Sequence, residues 1–546
     1  MAGRERAEEL ISPSPHLQMR EIKSPLRREN LGSHTNEILK SGEAAGDDAS
    51  KDIESREKGV QTVEPPYSVF THREKAAMII TVSFMAIISP LSSAIYLPVL
   101  PSLAQDLNVS ASLINLTVTT YLIFQGVAPS FIGNYSDTYG RRPAYMICSV
   151  IYLGANIGLA VQNSYAALLV LRCLQSCGSS ATIALASAVS ADLATRAERG
   201  KYLGYAAMGV TLGPALGPVI GGLINQYLGW RAIFWFLTIL SGVLFLILFL
   251  FLPETGRSVV GNGSIPSPWW NMSLLAYIKQ RGQGITPDTT TAKPPRRRPN
   301  PFASLKLLFE KQGGIILAFG SLVYGGYYML LTTLSTELST RFGFSSVIIG
   351  VCYLPLGIGS LSYRHTGGYL LDWNFRRHAR VAGIAITKNR QQDLAALPIE
   401  KMRLQISLPF VYLACAAVVG YGWAMQTRAS LAGIEVCLFL CGLFISGITN
   451  ALNTLIVDTH VSSPATAVAA NNLCRCLVGA GAAAVASPLI DRIGVGWTAV
   501  FVAGLWVILS PLLWLVIVKG PKWRQVESGT GDKGHAEKNA KDGTCR

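Results

Sequence analysis

Residues 133–142 read GNYSDTYGRR and residues 368–377 read GYLLDWNFRR, so a glycine, an aspartate and a double arginine recur at identical spacing. In the first copy these are Gly133, Asp137, Arg141 and Arg142; in the second, Gly368, Asp372, Arg376 and Arg377. A second echo joins Gly229-Trp230-x-Ala232-Ile233-Phe234 to Gly496-Trp497-x-Ala499-Val500-Phe501. One short match is readily accidental, but two at corresponding places make the second half of the chain a copy of the first in the same orientation. The two offsets differ, and the long connection 373–406 absorbs the difference.

Around these copies lie apolar runs long enough to cross a bilayer, for which about twenty residues suffice. Twelve spans are expected, near 75–98, 111–133, 143–161, 166–191, 201–225, 231–252, 313–336, 346–364, 407–425, 431–457, 467–489 and 496–518. Of the 546 residues only 14% are charged, against about a quarter in a soluble domain, and the mean hydropathy is +0.35. The net charge of +15 raises nucleic acid as a partner. The basic residues, however, cluster in short connections such as Arg196 to Lys201, Arg296 to Arg298 and Arg376 to Arg380, as the positive-inside rule asks of cytoplasmic loops. The charge therefore reports topology, with both termini cytoplasmic, and nucleic acid is set aside.

The expected layout is a disordered cytoplasmic tail (1–72), a six-helix bundle (73–255), a cytoplasmic central loop (256–312), a second six-helix bundle (313–519) with its long loop at 373–406, and a second cytoplasmic tail (520–546). The tails lack the apolar content to fold alone. The polar N-terminus does not resemble a signal peptide, which leaves the first span as the targeting signal. Most of the ten cysteines fall inside apolar runs and behave there as small hydrophobes. No disulfide framework, metal-ligand spacing or cofactor motif is visible.

Polar residues within the spans single out the chemistry. Arg172 and Gln175 stand one helical turn apart in the fourth span, and a charge at membrane depth faces a cavity or a partner unless it snorkels to the interface. The fifth span carries Gly209, Gly213, Pro214, Gly217, Pro218, Gly221 and Gly222; small residues every fourth position let another helix approach, and the prolines bend the axis. Asn450, Asn453 and Asp458 in the tenth span, with Asn471, Asn472 and Arg475 in the eleventh, form inward-pointing faces. Asp458 and Arg475 are open to two readings: a bridge between them, or separate roles in transport. Tyr96, Tyr121, Tyr324, Tyr327 and Tyr328 suit an amphiphilic cavity, since a hydroxyl in lipid wants a partner. Asn108 opens a glycosylation sequon in the first expected outer loop, whereas the sequons at Asn134, Asn262 and Asn271 fall on the cytoplasmic side.

Taken together, GNYSDTYGRR, LRCLQSCG, GVTLGPALGPVIGG and PETGR resemble the signature set of the major facilitator superfamily across residues 73–520. The fifth span resembles the antiporter motif of the twelve-span drug:proton antiporter branch. The stretches GWRAIFWF, LLDWNFRR and NNLCRCLVGAGAAAV are similar to fungal quinidine-resistance-type and citrate-exporter-type proteins. The resemblance implies an all-α membrane protein of two parallel six-helix repeats that moves a small molecule by alternating access, functional as a monomer, in the plasma membrane. A carboxylate and paired guanidinium groups on a tight cytoplasmic turn can lock one conformation and release another, so a conformational latch is expected at Gly133, Asp137, Arg141 and Arg142 and at the repeated Gly368, Asp372 and Arg376; the resemblance adds Asp192 as partner and implies proton coupling or substrate binding at Arg172. Ser176 departs from the family's usual glycine, and the first span holds no acid, which leaves Asp458, Glu435 and the Asp137/Asp192 cluster as unranked proton carriers.

The expected function is proton-coupled export of drugs, organic acids or secondary metabolites. Import by symport and a transport-fold sensor are the rivals. No nucleophile and base pair or metal cluster in the sequence supports an enzyme.

Overall fold

The computed structural model describes residues 67–194, 196–265, 267–274, 303–381, 398–460 and 464–524, with backbone alone at 196–211, 303–305 and 464–465. Most of both expected tails and the middles of the two long connections, 275–302 and 382–397, lie outside the described residues.

The first half contributes α1 (His72–Ala94), α2 (Ala111–Tyr139), α3 (Arg141–Val161), α4 (Tyr165–Leu193), α5 (Arg196–Leu228) and α6 (Arg231–Phe251). The second contributes α7 (Lys311–Phe342), α8 (Leu354–Val381), α9 (Ile399–Gln426) and α10 (Leu431–Thr459). A last helical run follows, which Gly494 at φ +83° divides into α11 (464–493) and α12 (495–509). Ten of the described helices are long and apolar enough to cross a membrane; α5 lies outside that set, and the run broken at Gly494 is counted once. The elements therefore correspond to the expected segments one by one. The connection after α8 is shorter than expected, because α8 continues to Val381 and α9 begins at Ile399.

Local chemistry sets the ends. Thr71 and Glu74 form a reciprocal capping box at the start of α1, and the Ser110 hydroxyl accepts from the Leu113 N–H at the start of α2. Between α2 and α3 the chain turns at Gly140, whose φ of +113° suits only glycine.

Helix partners repeat between the halves: α1 packs on α5, α2 on α4 and α3 on α6, and correspondingly α7 on α11, α8 on α10 and α9 on α12. This is what parallel repeats require. Across the halves, α2 lies along α11 and α5 along α8. We call the end of the bundle where α1 begins and α12 finishes the near end, and the opposite one the far end. The seam runs from the far end to mid-depth. At the far end Asn225 of α5 donates to Ser346 Oγ (2.8 Å), Gln226 accepts from the Val347 N–H (3.1 Å), and Asn115 of α2 donates to Ser487 of α11 (2.8 Å). At mid-depth Ser93 meets Tyr328 (3.2 Å) and Asn472 donates to the Gln125 carbonyl (3.2 Å). Nearer the near end, α2 presents Phe131 and Tyr139 as exposed side chains.

Candidate functional site

Three places in this bundle carry the polar chemistry. At the near end of the first half, the Arg141 Nε donates to Asp192 Oδ2 (2.9 Å) and its Nη1 reaches Ser136 (2.8 Å) and Asp137. Asp192 is the penultimate residue of α4 and Arg141 the first of α3, so one guanidinium ties the ends of α2, α3 and α4 together. Arg142 has a different task. Its Nε and Nη2 donate to the Leu252 and Phe249 carbonyls, which end α6 without intrahelical partners. Glu254 returns the favour: its carboxylate accepts from the N–H groups of Arg141, Arg142, Thr255 and Gly256 and from the Asn271 amide. A carboxylate at the N-terminus of α3 answers both the orphan N–H groups and the helix dipole. A Cβ on Gly140 would overlap it.

The second copy of the motif is not built this way. Asp372, Arg376 and Arg377 are exposed, and a Cβ at Gly368 would meet nothing. The repeated spacing preserves the segment, but the charge pair of the second half is made elsewhere. Arg403, in the second turn of α9, holds Asp458, the penultimate residue of α10, at 3.1 Å. The bridge between Asp458 and Arg475 considered from the sequence is therefore not formed. Arg475 lies eleven residues beyond the start of α11, roughly 16 Å along its axis at the usual helical rise, whereas Asp458 sits at the very end of α10.

The glycine-rich helix α5 is packed on two sides. Gly213, Gly217 and Gly221 face residues 90–95 of α1, where a Cβ would collide with backbone. Pro218 and Gly222 face the short helix Ser346–Cys352 that precedes α8, with Gly350 against the Pro218 carbonyl. Pro214 lies within the same run and is half-buried; Gly209 falls where backbone alone is described.

The third place is central. Arg172 of α4 is 1% exposed, so it does not snorkel. Its guanidinium stacks between the rings of Tyr96 (4.0 Å) and Tyr121 (4.3 Å), donates to Gln175 (2.6 Å), and leaves Nε without a partner. Gln175 donates onward to Asn156 of α3 (2.7 Å). Across the seam, Arg475 of α11 donates to Asn472 (2.9 Å), stands 5.1 Å from the Tyr324 ring, and likewise has an unpartnered Nε. Tyr324, Tyr327 and Tyr328 cluster beside it with ring centroids 4.9 to 6.4 Å apart. Asn471 donates to Asn453 (3.0 Å), which joins α11 to α10. Among the described residues no ion pair neutralises either arginine. Both charges are held by aromatic faces and amide oxygens alone.

Asn108, at φ +51°, is exposed in the far-end turn between the helical extension of α1 and α2. Asn271 is fully buried against Glu254.

Arg403, Glu254 and Asn156 have roles that sequence reasoning did not assign. Only Glu254 stood in a quoted motif, PETGR; the other two lack a local spacing signal.

A family model described as Major Facilitator Superfamily matches residues 82–484. The chain is 46% identical over 473 residues to MFS-type transporter R5 of a Phoma species, covering 87% of this chain and 90% of that one. It is 36% identical to Citrate exporter 1 of Aspergillus niger over 84% of this chain and 89% of that one. In fold it resembles the crystal structure of a bacterial homologue of the human lysosomal transporter Spinster, with a TM-score of 0.59 at 12% identity, covering 83% of this chain and 99% of that chain. With these matches and a bundle of two parallel helical repeats, the chain belongs to the Major Facilitator Superfamily.

Proposed function

We propose that the protein is a proton-coupled exporter of small organic acids or of other metabolites and drugs that carry an anionic group, working by alternating access between its two halves. The observation that carries this reading is the pair Arg172, fully buried, and Arg475, half-buried with its Nε sealed, on opposite sides of the central seam with no ion pair to a carboxylate at either among the described residues. A guanidinium with an unused donor pairs well with a carboxylate, and two of them disfavour a cation. Tyrosine rings around them supply surface for an apolar body. The 36% identity to a citrate exporter supports the same class.

The seam from far end to mid-depth fits a state open at the near end, which we take as the cytoplasmic side because the basic connections lie there. Rocking about the central site would close the near end and part the α5 contact with Ser346–Cys352. The charge pairs Arg141–Asp192 and Arg403–Asp458 then act as matching latches at the ends of α3/α4 and α9/α10. Residence in the plasma membrane and function as a monomer belong to this proposal.

The test is accumulation of labelled citrate and of a cationic dye in cells with and without the gene, with the proton gradient intact or collapsed. Gene-dependent, gradient-dependent loss of citrate is expected. Gene-dependent loss of the dye alone would overturn the anionic reading, and gene-dependent gain of citrate would make the protein an importer.

A further inference from the structure

On the outer side of the second half, α8 and α9 part over α10 and leave a cavity of about 420 Å³, within the range of about 300–1,000 Å³ usual for small-ligand sites. Two rings close its inner end. Tyr363 of α8 and Phe410 of α9 meet edge to face with centroids 5.8 Å apart, and both lie on Gly447 of α10, where a Cβ would collide with them. Leu443, one turn from Gly447 toward the far end, forms the floor, and Leu370 and Trp373 of α8 carry the wall toward the near end. This slot faces lipid. The opposite flank of α8 carries Gly357, packed on Ala215 of α5, whereas Val436, two turns from Leu443 on the same face of α10, is 58% exposed.

The mouth of the slot is aromatic and basic. Along α8, Thr366, Leu370, Trp373, Arg377 and Arg380 follow one another at intervals of three and four, so they form one stripe. The Arg377 guanidinium stands 5.7 Å from the Trp373 ring centre. Among the described residues no ion pair engages Arg377 or Arg380, and Asp372 lies off the stripe. Asn374 donates to the Met402 carbonyl in the first turn of α9 (2.7 Å), which sets this mouth at headgroup depth, a few residues outside the apolar run 407–425. Topology alone accounts for arginines at this end. It does not account for an open apolar slot directly beneath them.

We propose that the slot binds an acidic phospholipid of the near leaflet, with one acyl chain lying along Leu370 and Leu443 to the contact of Tyr363 with Phe410, and the phosphate reaching Arg377 and Arg380. A bilayer offers a chain to any lipid-facing apolar slot, so the arginines set the preference. Each basic residue at the surface favours an anionic lipid, and a guanidinium matches phosphate in geometry as well as charge. Trp373 stands at the boundary, where an indole has its apolar body in the chains and its N–H among the headgroups. The slot lies outside the central seam, so lipid binding here is independent of the substrate.

The full chain in phosphatidylcholine liposomes, doped with a phosphatidylserine or a phosphatidylcholine probe that carries the same diazirine-bearing acyl chain, tests this by irradiation and quantitation of the lipid-modified peptides. At Phe410 and Leu443 the phosphatidylserine probe should label about fivefold or more above the phosphatidylcholine probe, while the exposed Leu246 of α6 takes both equally. Arg377→Gln with Arg380→Gln removes the preference. Both arginines are exposed, so their loss leaves packing intact, and unchanged labelling at Leu246 reports a folded chain. Leu443→Trp fills the slot and lowers labelling at Phe410 by either probe. Equal labelling by the two probes, a preference that survives the double glutamine variant, or a slot that neither probe labels, as an occupant other than lipid would leave it, overturns the proposal.

Discussion

Arg403 holds Asp458 at 3.1 Å in the second half where Arg141 holds Asp192 at 2.9 Å in the first, although the repeated sequence motif contains only one of these four residues, Arg141, and its second copy contains none. In both halves the arginine lies within the first two turns of the third helix and the aspartate is penultimate in the fourth. On the proposed mechanism, matching pairs at one end of both repeats would let that end assemble and come apart symmetrically. We expect Arg403→Ala and Asp458→Asn each to slow turnover several-fold with little change in KM. The Arg403 and Asp458 side chains are 15% and 20% exposed, so removing one partner leaves the other largely covered and lowers stability as well as rate. The reversed double variant, Arg403→Asp with Asp458→Arg, recovers part of the rate. Initial rates over a range of substrate concentration decide this; a pure KM defect would remove the latch role.

Glu254 accepts five hydrogen bonds, four of them from backbone. Hydrogen bonds to a charged group contribute about 1.5–3 kcal/mol each when judged singly, and they are not additive. Glu254→Ala should therefore lower the thermal midpoint of the purified protein clearly, and Glu254→Gln, which keeps one acceptor oxygen, should lower it less. Equal midpoints for both variants and the wild type would show that α3 is capped by something else.

How much of this was legible beforehand follows the range of the interactions. Helical periodicity and span length are local, so the helices and the parallel repeat were readable from residues 133–142, 368–377 and the Gly-Trp echoes. The contact of Arg172 with Gln175 was readable too, because three residues make one turn. Arg403 with Asp458 spans 55 positions and a loop, and nothing in its spacing distinguishes it from any solvated arginine. The sequence offered Asp458 a nearer cation in Arg475, and helix geometry placed the two at different depths. The glycine run on α5 announced close packing but not that it packs on two neighbours at once.

At that run, a Cβ on Gly222 would overlap the Ser346 carbonyl. Gly222→Ala should prop the far seam open at a cost of about 1–3 kcal/mol, typical of overpacking. Labelling of a thiol introduced at the exposed Ile348 by an impermeant reagent should then quicken, relative to the same thiol in the wild-type background. Unchanged labelling with normal transport would mean that α5 and the short helix adjust without parting.

Arg172 contributes both charge and shape. Arg172→Ala should abolish transport at normal surface expression. Arg172→Lys keeps the charge but loses the planar stack between Tyr96 and Tyr121; with each cation–π contact worth about 0.5–2 kcal/mol, transport should fall roughly tenfold or more rather than vanish. Full activity of Arg172→Lys would assign the residue a charge role alone, and transport by Arg172→Ala would take it out of the site.

The central claim is that the two arginines at the central seam, Arg172 and Arg475, make this an anion carrier driven by protons. The direct measurement is uptake of labelled citrate and of a cationic dye into liposomes that hold the purified full chain, with an acid lumen and with a protonophore as control. Citrate accumulation that needs the protein, needs the gradient and is lost in Arg172→Ala is the predicted result; accumulation of the dye without citrate, or citrate uptake driven only by an acid exterior, would contradict it.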